Sequence, residues 1–231
     1  MADYNSFQEN FSKFILSASG FRKVFAADKG IANDDEESNS ADISAEDAAA
    51  SAIIADVFGR LVEEYEGKII AVGMDARPTG PAIAAVMIST FEARGFDVRY
   101  SGITAAPELM AWVKTSTDID AFAYISASHN PLGHNGFKFG FADGAVLGGE
   151  SAKQFISKVI AAAVDEDIYG RYADIQSSLS ADAYTLPDSS ADKADAPMNS
   201  AIKKIWVCFI IFGFLVLGGE PAALLRPCCF C

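Results

Sequence analysis

The stretch Tyr124-Ile125-Ser126-Ala127-Ser128-His129-Asn130-Pro131, followed by Asn135-Gly136-Phe137-Lys138, holds the densest chemistry in the chain. The apolar run 121–125 reads as a buried strand. The residues after Ile125 therefore fall outside the carboxyl end of a sheet strand, where open α/β folds bind ligands. Ser126, Ala127 and Ser128 are small and let the backbone approach a bulky substituent closely. Two hydroxyls, an imidazole and an amide between positions 126 and 130 make a compact hydrogen-bonding set. Pro131 and Gly133 fix and turn the loop. Lys138, on an expected strand over 137–141, brings an ammonium toward the same point. A serine accompanied by His and Lys at a strand mouth suits phosphoryl or acyl transfer.

Working outward, the pattern on both sides is one of short buried strands alternating with amphipathic helices. Upstream, 68–72 is an apolar run ending in Gly73, 81–93 reads as a helix opened by Pro78-Thr79-Gly80, 97–100 as a strand and 107–114 as a helix. Further upstream, an alanine-rich helix is expected over 45–65. Ser44, with Asp47 three residues on, makes a capping arrangement at its start. Phe7, Phe11, Phe14 and Ile15 mark a short helix over 6–16, and 21–27 a strand. Downstream, 151–164 closes the pattern as a helix. This alternation implies an α/β fold: a three-layer α/β/α sandwich around a mostly parallel mixed sheet. The acidic, serine-rich segment 33–40 reads as a loop.

The expected organisation has three parts: a domain over 1–165, a polar linker or disordered segment rich in Ser, Ala and Asp over 166–200, and a hydrophobic tail over 201–231. The run 205–217 is apolar for 13 residues, short of the roughly 20 that a membrane span needs. No membrane association is expected except through 205–225. The net charge of −13 repels nucleic-acid backbones and anionic surfaces, so nucleic acid is excluded as a partner of the body. The four cysteines (Cys208, Cys228, Cys229, Cys231) all lie in the tail. A cysteine-free body and a start without a signal-peptide pattern point to the cytoplasm.

The string from Ser126 to Pro131, with Asn135 to Lys138 after it, resembles the active-site signature of the α-D-phosphohexomutases, the phosphoglucomutases and phosphomannomutases. Three further elements are similar to that family's and fall in its order. These are Ser19-Gly20-Phe21-Arg22, Gly73-Met74-Asp75-Ala76-Arg77, and Gly102-Ile103-Thr104 through Pro107, the last with Ala105 and Ala106 departing from the usual pattern. The resemblance covers roughly residues 15–165 and implies the first domain of such an enzyme.

On that resemblance, Ser128 carries the transferable phosphoryl group, and Lys138 and Arg22 neutralise charge and assist proton transfer. His129 orients or shuttles a proton, and Ser126, Asn130, Asn135 and Arg77 bind phosphate or support the loop. The expected substrate is a hexose phosphate, of glucose or mannose. The resemblance also implies Mg²⁺, reached here only through the phosphate on Ser128. The family's Asp-Gly-Asp-x-Asp-Arg metal loop has no counterpart, since neither Asp118-Ile119-Asp120 nor Asp165-Glu166-Asp167 has the glycine or the spacing. The chain therefore reads as a truncated enzyme expected to turn over little hexose phosphate alone. The competing readings are a non-catalytic phosphosugar- or partner-binding module and a serine hydrolase pairing Ser128 with His129. No Gly-x-Ser-x-Gly elbow supports the hydrolase.

Overall fold

A computed structural model describes residues 3–26 and 38–175. Among the described residues, six helices and six strands form three layers. The strands are β1 (Ile15–Ser17), β2 (Gly20–Val24), β3 (Ile69–Met74), β4 (Asp97–Ile103), β5 (Ala121–Ile125) and β6 (His134–Phe141). They lie in the order β1-β2-β6-β5-β3-β4. The helices are α1 (Tyr4–Ser12), α2 (Ala45–Glu64), α3 (Gly80–Ala93), α4 (Ala106–Thr115), α5 (Gly149–Ala163) and α6 (Glu166–Tyr172).

The sheet is mixed, but its parallel part is smaller than the alternating pattern implied. β3 pairs in parallel with β4 and β5, while β5–β6, β2–β6 and β1–β2 are antiparallel. The reason is chain length. Only residues 126–133 separate β5 from β6, and a parallel return needs a crossover of about a dozen residues or more. The serine loop is therefore a hairpin connection, and β6 comes back beside β5 with Ile125 opposite Phe137.

The two true crossovers go opposite ways. β4 lies on one side of β3 and β5 on the other, so right-handed connections put α3 and α4 on opposite faces. One face packs into the large core with α1, α2, α3, α5 and α6, built on Phe7, Phe58, Phe91, Phe137, Phe139 and their neighbours. On the other face α4 buries Leu109, Trp112 and Val113 against Ala71, Phe122 and Tyr124. Because strand order reverses at β3, the carboxyl ends of β3 and β5 lie side by side, Met74 opposite Ile125. That edge is the crevice where such folds bind ligands.

Local sequence explains the main elements. The Ser44 hydroxyl accepts from the Asp47 N–H at 3.1 Å, so the expected cap forms, and Glu46 and Asp47 sit in the first turn where acids suit the helix dipole. α2 is alanine-rich because it is buried along nearly its whole length between other helices, and small side chains allow that approach. Helix α1 stops at Ser12, ahead of the expected end, because Ile15 to Ser17 form the edge strand β1.

The segment after residue 165 corrects the expected boundary. Glu166–Tyr172 is a helix, not linker: the Asp165 carboxylate caps it by accepting from the Asp167 and Ile168 N–H groups at 3.0 Å each. Tyr169 is buried against Phe7, ring centroids 4.6 Å apart. The pattern-breaking Ser/Ala/Asp composition hid two inward-facing tyrosines. The expected acidic loop from 33 to 37, the rest of the linker (176–200) and the hydrophobic tail lie outside the described residues. Among the described residues, no helix is long and apolar enough to cross a membrane.

Candidate active site

The loop after β5 is shaped by the turn after β3. Asp75 follows β3 directly, and its N–H donates to the Ile125 carbonyl at 3.0 Å, locking the two strand ends together. Arg77, only 8% exposed, then turns its guanidinium into the serine loop. Nη2 donates to the carbonyls of Ser128 at 2.8 Å and Asn130 at 2.6 Å. Nη1 donates to the carbonyls of Pro131 and, at 3.0 Å, His134. Nε donates to the Asp75 carboxylate at 3.1 Å. All the N–H donors of this guanidinium have protein acceptors. Arg77 thus occupies the loop-supporting position of the two roles expected of it, with no donor left for a phosphate.

A second tie runs from the same turn. Asn135, fully buried, donates from Nδ2 to the Thr79 hydroxyl at 3.0 Å, and its Oδ1 accepts from the Gly136 N–H. Ser126, also buried, uses its hydroxyl to accept from the Ser128 N–H at 2.9 Å, while its own N–H donates to the Gly136 carbonyl. Asn130 donates its N–H to the Ala127 carbonyl at 3.2 Å. Ser126, Asn130 and Asn135 therefore hold the loop through contacts inside it or with its neighbours.

Ser128 itself is exposed and has φ +59°. The left-handed region costs a residue with a side chain about 1–2 kcal/mol. The fold holds it there through the Ser126 hydroxyl on one side of its peptide unit and Arg77 on the other. His129, next to it, is exposed as well.

Arg22 and Lys138 arrive from the sheet. Arg22 lies opposite Gly136 on β6, and Lys138 lies two residues further along β6, opposite Tyr124. Phe21 and Phe137 point into the large core, so alternation puts Arg22 and Lys138 on the other face, the face of Phe122 and Tyr124. They are diagonal neighbours there, and both are partly exposed. Gly20 makes room for them: a Cβ on it would meet the Lys138 Cγ at 3.2 Å and the Phe137 carbonyl at 2.8 Å, and its φ of +129° is one that side chains disfavour. Two cations thus share one stretch of sheet that leads to the serine loop.

The third marker joins at the same edge. The Thr104 N–H donates to the Met74 carbonyl at 2.9 Å, and the Thr104 carbonyl accepts from the Tyr124 hydroxyl at 2.8 Å. Burial, with the charges of Asp75 and Glu108, pushes the Tyr124 phenol up to about 12, so it remains a donor throughout the physiological range. Sequence signals as far apart as Arg22 and Lys138 meet on one sheet.

The family model for the phosphoglucomutase/phosphomannomutase α/β/α domain I matches residues 37–166, more than half of the chain. The chain belongs to this family. It is 33% identical over 141 residues to a probable phosphoglucosamine mutase of Methanopyrus kandleri, a match covering 59% of this chain and 31% of that protein. A phosphoglucosamine mutase of Symbiobacterium thermophilum is 35% identical over 135 residues, covering 57% and 28%. Among solved structures, a proposed phosphomannomutase from Thermus thermophilus superposes with a TM-score of 0.50 at 25% identity, over 64% of this chain and 30% of that one. The chain spans about a third of the length of the curated relatives it matches.

For this phosphohexomutase domain, the described residues do not by themselves fit a Mg²⁺ ion. No three His, Cys, Asp or Glu side chains cluster among them, and Asp75, the acid in the turn that supports the serine loop, is engaged by Arg77. A phosphate on Ser128 would supply one kind of oxygen, and the ion wants further carboxylates. Sequence reasoning had no part for Asp75, Thr79 or Tyr124. Asp75 was visible as the acid in Gly-x-Asp-x-Arg, whereas Thr79 and Tyr124 had no signal beyond their place in an expected turn and strand.

Proposed function

We propose that this chain is the phosphoserine-bearing domain of a phosphohexomutase, and that Ser128 carries the phosphoryl group transferred to and from a hexose phosphate. The single observation that supports this reading most is the setting of Ser128: an exposed hydroxyl at a strand mouth, on a loop made rigid by a buried guanidinium. In the transfer, the bond from phosphorus to the Ser128 Oγ breaks as a bond to a sugar hydroxyl oxygen forms. The sugar hydroxyl gives up its proton and the Ser128 oxygen regains one. The bisphosphate so formed turns round, and its other phosphate returns to Ser128. Such chemistry asks for in-line positioning and charge neutralisation rather than a strong nucleophile. On this reading Lys138 and Arg22 neutralise the phosphate, and His129 moves a proton beside it.

The substrate is a hexose phosphate. Glucose and mannose phosphates were the expectation from the signature, and the relatives reported above are named phosphoglucosamine mutases, which adds glucosamine phosphate. Selection among them would fall to parts of the relatives that this chain does not span.

The test is the half-reaction. The purified chain is incubated with a hexose 1,6-bisphosphate and followed by intact mass and peptide mapping. One added phosphate on Ser128 is expected, absent in Ser128→Ala and slower to appear in Lys138→Met and Arg22→Met. A chain that never takes phosphate on Ser128 at any bisphosphate concentration would sink the proposal. Turnover of hexose phosphate by the isolated chain is expected to be slight, and a coupled assay measures it.

A further inference from the structure

The turn after β3 does more than fill space under the serine loop. Its guanidinium is buried and reaches carbonyls at four positions of one loop, Ser128, Asn130, Pro131 and His134. Thr79, two residues on, holds Asn135 at the loop's far end. Within this loop Ser128, at φ +59°, is the residue in the left-handed region, and it is bracketed by this grip and by the Ser126 hydroxyl.

We infer that Arg77 is a positioning residue that holds Ser128 in its left-handed conformation, with Asp75 holding Arg77. The inference deepens the reading of Ser128 as phosphoryl carrier and rests on it for its functional meaning. A left-handed residue turns its side chain out of the path that an extended or helical backbone would give it. The loop relaxes from that state unless something outside it compensates. A planar fork with donors in two directions can grip several carbonyls at once, and an ammonium cannot. Arg77 therefore acts through the direction of the Ser128 hydroxyl, and not through contact with phosphate.

The experiment uses the chain itself. Backbone NMR reads the Ser128 conformation through its amide–Hα coupling and carbon shifts, and hydrogen exchange reads the amides of Asn130 and His134, which bond inside the loop. In the unaltered protein Ser128 shows the left-handed signature. In Arg77→Met it loses that signature, and protection at Asn130 and His134 falls by about tenfold or more, while amides in β5 stay protected. Arg77→Lys behaves like Arg77→Met despite its charge. Asp75→Asn, which keeps the fork, gives an intermediate loss and serves if Arg77→Met does not fold. Introducing Ser128→Gly, which accepts this backbone freely, reduces the effect of Arg77→Met on stability. A Ser128 that keeps its signature in Arg77→Met, or a Lys variant indistinguishable from the unaltered protein, overturns the inference. These readouts do not depend on phosphoryl transfer, so a failure of the proposed function leaves them standing and can be told apart.

Discussion

The most demanding test of the folded framework is the ion pair between Lys23 and Asp47. Their atoms lie 2.6 Å apart, with side chains 5% and 4% exposed, and Lys23 also sits 5.4 Å from the centre of the Phe25 ring and 5.9 Å from that of Phe14. Lys23→Met keeps much of the apolar bulk and leaves a carboxylate buried without its partner. Removing one member of such a pair costs about 3–5 kcal/mol, a large share of a domain's stability of roughly 5–15 kcal/mol. The size of the loss should depend on pH. Burial, partly offset by Lys23 and by hydrogen bonds, already holds the Asp47 carboxyl above its ordinary value. A carboxyl raised on folding binds its proton more tightly in the folded state. Its stability contribution is therefore full below the unfolded pKa and is lost as pH climbs from there through the folded one. Taking Lys23 away raises that carboxyl further and widens the window, with a slope inside it of about 1.4 kcal/mol per pH unit. Urea unfolding at about pH 5 and about pH 8 measures this, and the variant should be the weaker at the higher pH. Adding Asp47→Leu to Lys23→Met removes both charges and should return most of the stability. A Lys23→Met protein within about 1 kcal/mol of the original at both pH values would refute the reasoning. The pair matters beyond stability, because it faces Lys23 into the core and so leaves Arg22, its neighbour on β2, on the face that carries Lys138.

Three further outcomes are expected. Ser128→Gly should be more stable than Ser128→Ala by about 1 kcal/mol in thermal melts, because only glycine adopts φ +59° without strain. Gly59→Ala should lose stability although alanine favours helices by about 1 kcal/mol. Its Cβ would lie 2.9 Å from the Arg94 Cδ, and Arg94 is fixed by Asp56 and by Glu63 at 2.6 Å. In an Arg94→Ala background the same change should become neutral or stabilising, and a cycle of denaturant unfolding reads both signs. Tyr172→Phe should cost about 1 kcal/mol and loosen α6, seen as faster hydrogen exchange at Tyr169 than in the rest of the core, because the half-buried Tyr172 hydroxyl, pushed up to about 12 by burial and the Asp56 carboxylate, stays protonated beside that charge.

Much of this protein is written locally. The apolar run 121–125, the cap at Ser44, and the order of strands and helices from 69 to 163 follow from periodicity and turn residues, which act over a few positions. The strings around Ser128 and Lys138 marked the candidate site for the same reason, since their spacing in a hairpin is short. Three things were decided only in three dimensions. Three of the five strand pairings are antiparallel, and β6 returns antiparallel to β5 because a connection of eight residues, 126–133, cannot cross over. Glu166–Tyr172 became helix because Tyr169 and Tyr172 found partners on α1 and α2, far away in sequence. Arg77 became the grip on the serine loop because β3 and β5 end side by side. A guanidinium takes whatever acceptors the fold brings to it, and its own neighbours in sequence do not say which those will be.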